Sequence, residues 1–130
     1  MTTAPAGYPA PPVKQCLEAG VVVSAGSDGI RDSWSPYGNG DMLERAMLIG
    51  LRNDFRRDEE IELALGICTY GGAAMMGIDK YGLSPGCAAD LVIVPGETPA
   101  EAVVARPTDR TVIKGGRIVA RQGALVKPIS

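Results

Sequence analysis

Few residues in this sequence could carry chemistry, and the densest group of them lies on one loop. After the run Val21-Val22-Val23 comes SAGSDGIRDSWSPYGNG, which holds Asp28, Arg31, Asp32 and Trp34 close together. In parallel α/β folds, active sites lie at the carboxyl ends of strands, and Asp28 stands just past such a run. A carboxylate there could ligate a cation or accept a proton. On local sequence alone, Ser-Asp-Gly is first of all a turn. Arg31 and Asp32 carry the same ambiguity, since adjacent opposite charges on a loop are usually solvated or pinned to backbone groups. Trp34 is the one tryptophan, and a lone Trp on a polar loop more often walls a pocket or an interface than stands free.

The inventory excludes much else. The 130 residues contain no histidine, so a His ligand, a His base or a Ser-His pair cannot be completed by this chain. There is no GxxxxGK, GxGxxG or GxSxG pattern, and Gly38-Asn39-Gly40 is turn chemistry too short to cradle phosphate. A metal site needs three or four ligands, and Asp28 is only one. Cys16, Cys68 and Cys87 are odd in number, widely spaced and without a CxxC pair. They predict small packed residues in a reducing cytoplasm rather than a disulfide framework. Thirteen basic against fifteen acidic residues give a net charge of -2, which excludes a global field towards nucleic acid or an anionic membrane. The longest apolar runs fall far short of the about 20 residues a membrane span needs.

The elements that must position this loop follow from pattern. Hydrophobic residues at 45% and charged residues at 22% suit one globular domain. Residues 1–12, with four prolines and no hydrophobic period, predict an extended lead-in. VKQCLEAG predicts a short helix stopped at Gly20, with Val13, Cys16 and Leu17 on one face. The unalternating Val21-Val22-Val23 predicts a strand buried on both faces, and helix, turn, buried strand is an α/β rhythm. Asp41 predicts an N-cap with Glu44 in capping-box position. Leu43, Ala46, Met47, Gly50, Leu51 and Phe55 then predict a helix over 42–55. Asp58 caps the next, with Ile61, Ala64, Leu65 and Cys68 inward. TYGGAAMMG predicts a third short helix, its Met75-Met76 pair filling core. Beyond Tyr81 the chain turns β-rich. Ala89 to Val94 predicts a strand, Ala100 to Ala105 a brief helix, and Thr111 to Lys114 with Arg117 to Ala120 a hairpin turning at Gly115-Gly116. Leu125-Val126 adds a last strand.

Two long ordered stretches carry a resemblance. GSDGIRDSWSPYGNGDML (Gly26 to Leu43) and ICTYGGAAMMGIDKYGLSPGCAADLVIVPG (Ile67 to Gly96), followed by VIKGGRIV (Val112 to Val119), resemble the C-terminal part of cytosine-deaminase-like enzymes. These belong to the metal-dependent amidohydrolase superfamily. The likeness is strongest to the branch containing N-isopropylammelide isopropyl amidohydrolase, whose loop also runs Ser-Asp-x-Ile-Arg-Asp before a Trp. The resemblance covers nearly the whole chain.

It implies an α/β fold: the C-terminal portion of a TIM-like (β/α)8 barrel plus the closing strands of a small β-sandwich. Residues 13–80 would supply the last barrel strand and helices, with Val21 to Val23 as the eighth strand, and residues 81–130 the β-rich segment. Asp28 would be the metal-ligating carboxylate that takes a proton from metal-bound water, on one divalent zinc or iron of the complete enzyme. Trp34, Gly29 and Arg31 would face the substrate pocket, while Asp90 and the hairpin glycines would tie the β-layer together. The implied substrate is a small cyclic amidine or amide. Family cytosine deaminases commonly carry a second Asp after the metal Asp, where this chain has Gly29, and often a His before it, where this chain has Ser27. That shifts the expectation from cytosine towards a different cyclic amidine, amide or triazine. A complete barrel takes about 250 residues. The family's His-x-His pair, further His ligand and catalytic Glu all lie upstream of the matched stretches, so this chain alone is expected to bind no metal. It would act with a missing upstream barrel segment. The alternative is a catalytically inert truncated remnant that folds by self-association through the Val21 edge or acts as an assembly module.

Overall fold

The computed structural model describes residues 10–126. The predicted lead-in therefore lies mostly outside the described residues. Five helices and one sheet follow in the order α1 (Val13–Glu18), α2 (Met42–Arg52), α3 (Asp58–Cys68), α4 (Tyr70–Met75), β1 (Leu91–Ile93), α5 (Pro99–Ala105), β2 (Thr111–Lys114), β3 (Arg117–Arg121) and β4 (Ala124–Leu125).

The core is helical. Ile49 of α2 is only 1% exposed, and Val103 of α5 matches it. Val13, Ala46, Phe55, Ala64 and Ile67 complete the buried cluster. Each large aliphatic group removed from water there contributes roughly 1.5–3 kcal/mol. The buried face of α2 is rotated from the one its sequence predicts: Arg45, Ala46, Ile49 and Gly50 are inside, while Leu51 faces out. The reason is that α2 packs against both α3 and α5, so its buried stripe is the line facing both.

Helix α2 stops at Arg52, three residues short of the predicted end. Asp54 turns left-handed at φ 55°, and the Phe55 N–H donates to the Gly50 carbonyl at 2.9 Å. This is a Schellman closure, and it returns the Phe55 ring to the core. The N-cap is as predicted: Asp41 accepts from the Leu43 and Glu44 amides. The reciprocal arm of the capping box is absent. Asn39 Oδ1 takes the Asp41 N–H at 2.8 Å, and Glu44 instead accepts from the Asn39 side-chain amide. At α3 the cap position is Arg57, and Asp58 is the first helical residue. The Glu60 carboxylate receives the Arg56 and Arg57 amides there. Lys14 pairs with it from α1, and these contacts bring the Glu60 carboxyl down to about 2.

The sheet is an antiparallel meander in the order β1-β2-β3-β4. Leu91 faces Ile113 and Ile93 faces Thr111 across the first pair. The hairpin turns at Gly115 (φ 55°) and Gly116 (φ 75°), a pair of left-handed positions that favours glycine. Asp90 clamps it, accepting the Gly115 N–H at 2.7 Å and pairing with Lys114. Those two contacts hold the Asp90 carboxyl below the usual range.

One predicted element is missing. Among the described residues Val21–Val23 has no ladder partner and belongs to no sheet, and Val21 and Val22 are exposed. A strand is defined by its neighbours, and a parallel strand buried on both faces needs neighbours on either side. This segment is tied down at Val21, whose N–H donates to the Cys16 carbonyl at 2.9 Å, at Ala25, whose N–H donates to the Ile67 carbonyl at 3.3 Å, and at Gly71, whose missing Cβ leaves room for the Val23 carbonyl 2.2 Å from that position.

Candidate active site

The loop after Val23 is built by local hydrogen bonds and two close approaches. The Asp32 carboxylate accepts the Trp34 and Ser35 amides at 3.0 and 2.7 Å, an Asx turn. Arg31 N–H donates to the Gly38 carbonyl at 3.0 Å, and Gly38 N–H donates to Ser35, so residues 31–38 close on themselves. A Cβ on Gly38 would sit 1.9 Å from the Gly29 carbonyl oxygen. A Cβ on Gly29 would sit 1.8 Å from the Asp32 carboxylate. Any side chain at position 29 would require the Asp32 carboxylate to move.

Asp28 heads this loop. It is exposed and left-handed at φ 60°, a conformation Asp tolerates better than most residues. Ser27 before it is held from the helix layer: the Arg45 guanidinium donates to the Ser27 carbonyl at 2.7 Å. One turn earlier on α2, Asp41 is gripped by Arg110 in a two-toothed pair at 2.9 and 3.0 Å. The Arg110 hydrogen bonds hold the Asp41 carboxyl below the usual range, against a smaller opposing effect of burial. Helix α2 thus braces the loop at Arg45 and the sheet segment at Asp41.

Beside the loop is an open apolar recess of about 380 Å³, lined by Ala25, Gly26 and Ser27, by Met42, and by Cys68, Thr69, Gly72, Ala73, Met76, Ile78 and Tyr81. Burial pushes the Cys68 thiol up to about 11, which favours its neutral form. All three cysteines are free and half-buried. Of the four site residues predicted from sequence, none lines this recess. Asp28, Arg31 and Trp34 point to solvent, Trp34 at 90% exposure, and Gly29 serves loop closure. Met76 lines the recess and Met75 is exposed, so the pair is not the core filling expected of it. Arg45 escaped the sequence reading; its signal is a charge one residue from Ala46 on an otherwise apolar helix face.

Among the described residues no three His, Cys, Asp or Glu side chains stand together as a metal shell. The residues present do not fit a metal by themselves.

Comparison with known proteins decides the lineage. The model of the amidohydrolase family matches residues 2–120. This chain belongs to the amidohydrolase family. Over 119 residues it is 37% identical to N-isopropylammelide isopropyl amidohydrolase of Pseudomonas sp. (strain ADP), covering 91% of this chain and 30% of that protein. The crystal structure of N-isopropylammelide isopropylaminohydrolase from Burkholderia multivorans ATCC 17616 superposes with a TM-score of 0.89 at 60% identity, over 95% of this chain and 32% of that one. A 5-methylcytosine deaminase from Klebsiella pneumoniae, liganded with phosphonocytosine, superposes at TM-score 0.72 and 27% identity, over 89% of this chain and 28% of that one. The chain therefore spans about a third of the length of these amidohydrolases and matches their C-terminal part. The family's enzymes have a TIM-barrel fold; this chain is a partial domain with helices and a small antiparallel sheet. Among the described residues no helix is long and apolar enough to cross a membrane.

Proposed function

We propose that this chain is the C-terminal part of a metal-dependent hydrolase of C–N bonds other than peptide bonds. Its substrate is a cyclic amidine or amide, a substituted triazine before a pyrimidine, and the reaction removes an amine or ammonia. The observation that carries this reading is the 60% identity to the Burkholderia N-isopropylammelide enzyme over 95% of the chain, against 27% to the 5-methylcytosine deaminase.

In this reading residues 13–80 supply the last barrel strand and the helices behind it, and residues 81–130 supply the closing strands. Asp28 is the one carboxylate the chain contributes at the reacting centre, as ligand and proton acceptor. Trp34, Gly29 and Arg31 form its part of the substrate pocket. A divalent zinc or iron with a full ligand set lowers the pKa of a bound water towards neutrality. The other ligands come from an upstream barrel segment, and no step is assigned to a metal held by these residues alone.

The test is a chimera in which this chain replaces the matching part of the Burkholderia enzyme. It should release isopropylamine from N-isopropylammelide, and Asp28→Asn should lower kcat by at least about 100-fold. A folded, metal-loaded chimera that is inert towards both N-isopropylammelide and 5-methylcytosine would overturn the reading. A second reading rests on the exposure of Val21 and Val22: an inert remnant whose copies pair along that segment. It requires a dimer of this chain in solution that Val22→Asp dissociates.

A further inference from the structure

We infer that Arg45 is the positioning residue for Asp28, acting through the Ser27 carbonyl. This rests on the reading of Asp28 given above. Arg45 is 6% exposed, on the face of α2 that otherwise carries Ala46, Ile49 and Gly50. Burying a guanidinium is costly unless it is paired, and a carboxylate is the usual partner. Among the described residues no carboxylate makes an ion pair with Arg45; its acceptor is the neutral Ser27 carbonyl at 2.7 Å. An apolar side chain at this position would pack without that desolvation. What the arginine adds is a long, charged, planar donor that fixes one backbone oxygen 18 residues away.

That oxygen belongs to the residue just before Asp28. Asp28 itself is left-handed at φ 60°, and Arg31 follows at φ 47°. Non-glycine residues hold such conformations only when their surroundings fix them. The Asx turn at Asp32 and the closure at Gly38 hold the loop downstream of Asp28. Arg45 holds it upstream, from a helix whose first turn is itself anchored by Arg110. The aim of the Asp28 carboxylate is therefore set by α2.

The test compares Arg45→Met, which keeps bulk and loses the donors, with Arg45→Lys, which keeps a charged donor. In this chain, amide exchange across residues 26–38 should accelerate about tenfold in R45M while α3 and the β2–β3 hairpin stay unchanged, since a hydrogen bond from a charged group is lost locally. R45K should recover most of the protection. In the active chimera R45M should lower kcat by at least about tenfold with KM nearly constant, because a misaimed catalytic group affects the transition state rather than binding. Loop exchange equal to wild type, or acceleration spread evenly over the whole chain, overturns the inference. If R45M does not fold, Arg45→Gln, too short to reach Ser27, carries the same expectation. Failure of both to fold assigns Arg45 to core stability and also overturns it. An inactive wild-type chimera would remove the proposed function, and the exchange measurement would still decide the role of Arg45.

Discussion

Two stretches of this chain are built from similar material and meet different fates. Val21-Val22-Val23 and Leu91-Val92-Ile93 are both short, apolar and largely β-branched. The second pairs with Thr111–Ile113 in full antiparallel register, and β3 and β4 extend the sheet by consecutive short connections. The first has no partner among the described residues; exposure does not separate the two, with Val22 at 51% and Val92 at 52%, so the difference lies in backbone pairing. The propensity is the same and the outcome is set by where the partner lies. A meander finds its neighbours nearby in sequence, whereas a central strand of a parallel barrel requires neighbours supplied by other βα units. The closing sheet is self-sufficient in hydrogen bonding; the segment carrying Asp28 depends on the helices behind it.

The largest effect should come from removing that helical support. Ile49→Ala opens a cavity at the junction of α2, α3 and α5, and such truncations cost about 2–5 kcal/mol. Chemical denaturation should show a lower midpoint. Exchange should show protection lost across α2, α3 and residues 21–38 together, with the β2–β3 hairpin least affected. Equal loss in both regions would mean that the sheet has no stability apart from the helices, and the comparison would collapse.

This contrast also explains what was legible in the sequence. The hairpin over 111–120 was readable because its signals are local: two short β-branched runs around a Gly-Gly turn. The N-cap at Asp41 and the core positions Ala46, Ala64 and Val13 were readable for the same reason. The end of α2 was not, because Phe55 keeps the helical period while the backbone has already turned at Asp54. Nor was the true face of α2, since Ile49 is buried by α5, more than 50 residues on. At the site, Asp28 and the Asp32–Trp34 turn stood out as residue types in a loop. Arg45 did not, because its partner is a backbone oxygen, and a carbonyl leaves no mark in a sequence. The bidentate Arg110–Asp41 pair spans 69 positions and was equally invisible.

That pair joins the two regions and gives the next effect in size. Asp41→Ala removes both an N-cap and a partly buried ion pair, and should cost about 1–2 kcal/mol. Asp41→Asn keeps the cap and should lose less than half of that. The pH dependence has a definite sign. Arg110 lowers the Asp41 carboxyl in the folded protein, so the pairing stabilises fully above the unfolded value of about 3.9 and is lost as pH falls through the lower folded value. Stability measured from neutral pH downwards should therefore fall less steeply in the acid range for Asp41→Ala than for wild type. Parallel acid slopes would show that the pair contributes nothing and that sheet and helices are joined by packing alone.

The smallest effect on this chain should be at Val22, and it is the most informative about the difference between the two stretches. Val22 is half exposed and pairs with nothing among the described residues, so Val22→Asp should change stability by less than about 0.5 kcal/mol, as surface substitutions usually do. The matching substitution in the closing sheet, Val112→Asp, puts a charge on a half-buried strand paired on both sides and should destabilise measurably more. In the chimera the ranking should invert. There Val22 would lie inside a barrel wall, and a carboxylate at that point would abolish assembly or metal loading. A Val22→Asp substitution silent in both the chain and the chimera would mean that this run is not a barrel strand. Asp28 would then stand on an ordinary surface turn.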